Sequence, residues 1–186
     1  NMNVISQKEI HWEDSKKLLM EFEKKEIPVM IIEKDRMYIN KINDRVRIAQ
    51  HAVSTPIPKL EKYQGDKISQ FVIYMEEVAA KELLKHLPHC KMSCWNPYGF
   101  DVIPREGGKV SGIEEVLDYY GITREETMAF GDGENDMDML QYAGIGIAMG
   151  NADHEVKQCA DYVTDDVSND GICKALYHFQ IINKGA

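Results

Sequence analysis

The sequence predicts an α/β protein in two parts: an α+β segment followed by a parallel sheet with crossover helices, of the doubly wound, Rossmann-like kind. Three observations carry this expectation. Up to Ile103, apolar runs of strand length are separated by polar turns, some short enough for hairpins. From Lys109 onward, short apolar strands alternate with helical stretches over short links, the pattern of parallel strands joined by crossover helices. The change between the two patterns falls between Asn96 and Ile103, which predicts domains at 1–98 and 99–186.

In the first part, Trp12 to Lys25 reads as an amphipathic helix with Trp12, Leu18, Leu19 and Phe22 as its apolar positions, ended by Ile27-Pro28. Val29 to Ile32 and Met37 to Ile39 form a hairpin across the polar turn Glu33 to Arg36. Asn43 is a candidate N-cap for a short helix through Ala49. Pro56, Pro58 and Gly65 mark Ser54 to Lys67 as a loop. Phe71 to Met75 is a strand, Glu76 to His86 a helix, and Met92 to Trp95 pairs with Phe100 to Ile103. In the second part, the helix Lys109 to Tyr120 stops at Gly121. Then come the strand Thr127 to Phe130, the helix Glu134 to Tyr142, the strand Ile145 to Met149 and the helix Ala152 to Ala160. A short strand at Tyr162 and Val163 and a helix from Asp170 to Phe179 close the series.

Composition narrows the function. The 186 residues are 44% hydrophobic and 28% charged, a globular mix. A net charge of −9 argues against non-specific nucleic-acid binding, which needs Lys and Arg against phosphates. No stretch approaches the ~20 apolar residues of a membrane span, and Asn1 to Ile10 lacks the pattern of a signal peptide. Four scattered cysteines do not make a disulfide scaffold, so a cytoplasmic location is expected.

The strongest chemical signal is Phe130-Gly131-Asp132-Gly133-Glu134-Asn135-Asp136, between a strand and a helix. Ligands of open α/β sheets bind outside the carboxyl ends of strands, where Asp132 stands. Asp136 follows one helical turn later on the same side. Two converging carboxylates repel unless a cation lies between them, and such oxygen donors suit Mg²⁺. Asn135 adds a neutral amide for phosphate. The alternatives are weaker. An acidic helix start explains the charge but not the glycines and their order. An EF-hand loop begun at Asp132 would need Gly at Met137 and Glu at Ala143. Lys109, behind Glu106-Gly107-Gly108 at a helix start, is a candidate to neutralise a phosphoryl group. His86, His89, Cys90 and Cys94 crowd together, but their spacing is no zinc finger, and they are expected to be core and surface residues. Gly144, Gly146 and Gly150 miss the dinucleotide spacing.

Gly107 to Ile113 resembles motif three, and Phe130 to Leu140 motif four, of phosphatases of the haloacid dehalogenase-like (HAD) superfamily. Ala143 to Ala152, Val156-Lys157, Ala160 to Thr164 and Asp170-Gly171-Ile172 are similar to the tail of its Cof-type branch. From residue 3 to 103 only the order of elements resembles the family's large cap. One mild departure is Val110, where the family often has Gly. The resemblance implies a cap at 1–98 and the C-terminal half of a HAD core at 99–186. It implies Mg²⁺-dependent hydrolysis of a small phosphorylated metabolite through a phosphoaspartyl intermediate. Lys109 and Asp132 would be catalytic, Asp132 and Asp136 would bind metal, and Lys109 and Asn135 would hold the substrate phosphate. The family's nucleophile motif, Asp-x-Asp-Gly-Thr-like, does not occur: the one Asp-x-Asp is Asp136-Met137-Asp138, inside motif four. A truncated chain is therefore expected, inactive alone, with Thr127 to Phe130 as an open edge for self-association. The alternative is a non-catalytic binding or interaction module on the same fold.

Overall fold

The computed structural model describes residues 4–183. The outermost three residues of each expected domain, 1–3 and 184–186, lie outside the described residues. The α/β class holds. The chain divides into two units, Asn1–Gly108 and Lys109–Ala186.

In the first unit, α1 (Trp12–Lys24) buries Asp14, Leu18 and Phe22, spaced four apart on one face. Trp12 is not on that face: it is 58% exposed, with the Lys16 ammonium over its ring. β1 (Val29–Glu33) and β2 (Met37–Ile39) form the expected antiparallel hairpin, with Ile31 opposite Tyr38. α2 (Asp44–Ala52) starts at Asn43, whose side chain accepts the Val46 N–H at 3.2 Å. The stretch expected as loop contains β3 (Lys59–Leu60), which runs parallel to β2. Two residues between prolines and charges carry too little pattern to announce a strand. β4 (Ile68–Ile73), α3 (Glu77–Leu84), β5 (Cys90–Asn96) and β6 (Gly99–Pro104) complete the unit. The sheet order is β3-β2-β1-β4-β6-β5. β6 pairs antiparallel with both β4 and β5, so the strand that starts at the predicted boundary belongs to this sheet.

Period-two alternation sorts the sheet's two faces. Val29, Ile31, Phe71 and Ile73 pack with Leu18 and Phe22 of α1 and Ala80 of α3. Met30 and Val72 point the other way, onto Val46 and Ala49 of α2. Asn40 lies just past β2, 4% exposed. Its amide oxygen accepts the Val29 N–H at 2.8 Å, and its nitrogen donates to the carbonyls of Phe22 at 2.8 Å and Ile27 at 3.1 Å. It thereby satisfies a late carbonyl of α1 and the first N–H of β1.

The second unit holds β7 (Met128–Gly131), β8 (Ile145–Ala148) and β9 (Tyr162–Val163), all parallel in that order. α4 (Lys109–Tyr120), α5 (Met137–Tyr142), α6 (His154–Gln158) and α7 (Gly171–His178) alternate with them. The helix expected from Glu134 begins instead with a 3₁₀ turn at Glu134–Asp136. Its small-residue core of Ala129, Ala143, Ala148 and Ala152 around Leu140 and Val156 keeps α5 and α6 close to the sheet. At Gly146 a Cβ would stand 2.1 Å from the Leu140 carbonyl oxygen, so only glycine admits that approach. β7 ends the sheet, with no strand on its other side among the described residues.

Candidate active site at the carboxyl end of β7

β7 delivers Gly131, and the chain then turns sharply through Asp132 and Gly133 into the 3₁₀ turn. The turn folds the Asp136 side chain back over the strand end. Its Oδ2 accepts the N–H groups of Asp132 and Gly133, each at 3.1 Å. Its Oδ1 accepts from the ammonium of Lys109, the first residue of α4. A Cβ on Gly131 would meet the Asp136 Cβ at 2.5 Å, so glycine at this position is what lets the carboxylate lie there. Asp136 is 7% exposed. Burial alone would raise its pKa, but Lys109 and the N–H groups of Gly133 and Asp132 outweigh that and hold it below the usual carboxylate value.

Asp132 is exposed. Its Oδ2 accepts from the Asn151 amide at 2.8 Å, while no hydrogen bond to a described residue reaches its other oxygen. Asn151 comes from the loop after β8, and its Oδ1 in turn accepts the Val167 N–H at 3.3 Å. That loop is held to its neighbours by backbone bonds, Met149 N–H to the Gly131 carbonyl at 2.9 Å and Gly150 N–H to the Asp165 carbonyl at 3.1 Å. Asn135 is half-buried, and its amide oxygen rests against Gly133, where a Cβ would be 2.5 Å away. Its amide nitrogen makes no hydrogen bond to a described residue.

The four residues singled out in the sequence thus fall into distinct positions. Lys109 and Asp136 are in direct contact. Asp132 joins them through its backbone N–H, and its carboxylate accepts from Asn151. Asn135 lies on the same turn with its amide nitrogen uncommitted. The negative charge of Asp136 is met here by Lys109 and two N–H dipoles. Sequence reasoning did not single out Asn151 as a site residue. The available signal was its place after Met149-Gly150, directly beyond the strand next to β7, since adjacent parallel strands open onto one edge of the sheet.

Comparison with known proteins places these observations in a family. The family model for haloacid dehalogenase-like hydrolases matches residues 1–176. The putative phosphatase YkrA of Bacillus subtilis is 32% identical over 165 residues, covering 87% of this chain and 63% of YkrA. A solved structure from work on a trigonal-bipyramidal intermediate in a phosphoryl-transfer superfamily superposes with a TM-score of 0.89 at 35% identity, covering 98% of this chain and 71% of that one. The HAD subclass IIB sugar phosphatase BT4131 gives a TM-score of 0.86 at 35% identity, covering 97% of this chain and 71% of its own. The match spans 63% of YkrA, less than two thirds of that relative's length.

Proposed function

Because the chain belongs to the haloacid dehalogenase-like hydrolases, we propose that it forms part of a Mg²⁺-dependent phosphomonoesterase acting on a small phosphorylated metabolite. The observation that carries this reading is the Lys109–Asp136 pair beside the free carboxylate oxygen of Asp132, at one strand's carboxyl end. The donor set suits Mg²⁺: a hard, exposed carboxylate oxygen without a hydrogen-bond partner among the described residues. Asp132 would hold the ion. Asp136 would contribute a carboxylate oxygen to the same site while it positions the Lys109 ammonium. When bound, Mg²⁺ supplies charge stabilisation to the phosphoryl oxygens.

The chain's own residues do the rest. Lys109 has three N–H donors; Asp136 accepts one, which aims the ammonium and leaves two for phosphoryl oxygens. Because Lys109 and two N–H groups hold Asp136 below the usual carboxylate value, it is charged at neutral pH and anchors Lys109. Asn151 clamps one oxygen of Asp132 and so directs the other outward. Asn135 offers an uncommitted amide nitrogen to the substrate phosphate. The attacking carboxylate and the general acid/base of a phosphoaspartyl route would come from a segment outside these 186 residues. The test is a p-nitrophenyl phosphate assay on protein translated with its upstream coding sequence. Mg²⁺-dependent turnover that falls about 100-fold or more in Asp132→Ala is expected; undiminished turnover in that variant, or in chelator, refutes the assignment.

A further inference from the structure

We infer that His11, Glu13 and His89 form a site for a divalent transition-metal ion of the zinc type in the first unit. Their ligand atoms all lie within 4.8 Å of one another. His11 Nδ1 is 4.0 Å from Glu13 Oε2, and the two imidazole centroids are 4.0 Å apart at an interplanar angle of 31°. Two imidazoles and a carboxylate select zinc, nickel, copper or cobalt over magnesium. A tetrahedral site with bonds of about 2.0–2.1 Å brings its ligand atoms to roughly 3.4 Å from each other. All three side chains are exposed and can close the remaining distance by rotation.

Asp14 gives the cluster a carboxylate behind one of its histidines. It is fully buried, yet its carboxylate lies against this cluster. Oδ2 accepts the His89 backbone N–H at 2.8 Å and faces the His89 ring Nδ1 at 3.5 Å. Oδ1 has no hydrogen-bond partner; the Lys17 ammonium stands 4.0 Å from it. A carboxylate behind a histidine ring fixes the orientation of that ring as a ligand. With Nδ1 turned to Asp14, His89 is left with Nε2 for the ion. His11 immediately precedes α1 and His89 immediately precedes β5, so the ion would clip the starts of two elements together and leave a fourth position for water. Neither nearby cysteine serves as a ligand: the buried Cys90 thiol lies against Asp14, and the Cys94 thiol lies 3.7 Å from the Asn96 carbonyl.

The experiment is a Co²⁺ titration of the tag-free protein translated with its upstream coding sequence, in a large excess of Mg²⁺, followed by ligand-field absorption and reversed by Zn²⁺. One equivalent should bind. His11→Ala and His89→Ala should each weaken binding tenfold or more, and His86→Ala should leave it unchanged. No binding by the wild-type chain, or wild-type affinity in both histidine variants, overturns the inference. Should a variant fail to fold, paramagnetic broadening in the wild-type NMR spectrum decides: broadening centred on His11 and His89 supports the site, and broadening centred elsewhere overturns it.

Discussion

Under the proposed function, the contact between Lys109 and Asp136 would matter little for stability and much for chemistry. The Lys109 side chain is 46% exposed, so solvent screens the pair and its worth to folding is about 1 kcal/mol or less. Asp136 would keep two N–H donors without it. Lys109→Ala should therefore leave the urea midpoint nearly unchanged, while kcat in the assay described above falls by roughly 100- to 1000-fold, the usual cost of removing a donor aimed at developing charge. Equal losses of stability and activity would contradict this division. Asn151 tests the support of Asp132. Without its amide, the carboxylate loses its only hydrogen bond among the described residues. Asn151→Ala should raise the Mg²⁺ concentration for half-maximal activity by about 10- to 100-fold, as lost outer-shell partners do. An unchanged Mg²⁺ titration would remove Asn151 from the site.

At the scale of elements, polar side chains inside the first unit join pieces that the hydrophobic pattern only brings near each other. Glu33 is 5% exposed and accepts from the Tyr38 hydroxyl at 2.7 Å and from the Arg36 guanidinium, closing the β1–β2 turn from within. Asn40 does the same for the end of α1 and the start of β1. Asn40→Ala would strand one buried N–H and deprive two carbonyls of a donor, with a cost of about 3 kcal/mol. Chemical denaturation of the variant measures it directly. A loss below about 1 kcal/mol would mean that water replaces the amide. The 3₁₀ turn at Glu134–Asp136 is a comparable device in the second unit, because it delays α5 until Met137 and frees Asp136 to fold back on the strand.

For the molecule as a whole, the three-stranded sheet of the second unit is small, and β7 is an end strand among the described residues. Its Met128 and Phe130 are only half-buried and its Ala129 is apolar. Such an edge presents unpaired N–H and C=O groups to any passing strand. We expect the 186-residue chain, produced alone, to self-associate or aggregate and to lack phosphatase turnover. Sedimentation velocity across a dilution series should show concentration-dependent association. A monomer at every concentration, with ordinary turnover, would show that β7 is protected and that the nucleophile lies within these residues.

The sequence by itself determined the fold class, most of the elements and the core of the candidate site. The site residues Asp132, Asn135 and Asp136 sit within five consecutive positions of one strand-to-helix turn, so spacing alone brings them to one place. The alternation at Val29 to Ile32 likewise identifies a strand without knowledge of its partner. What lay beyond the sequence was pairing at a distance. β3 exists because β2 is beside it, and β6 joins the first unit because β4 and β5 flank it. Asn151 meets Asp132 only once β7 and β8 are parallel neighbours, and His11 meets His89 only once α1 is laid on the sheet. Local periodicity records which face of an element is apolar; it carries no record of which distant polar group will be within 3 Å, because that distance is set by the packing of whole elements.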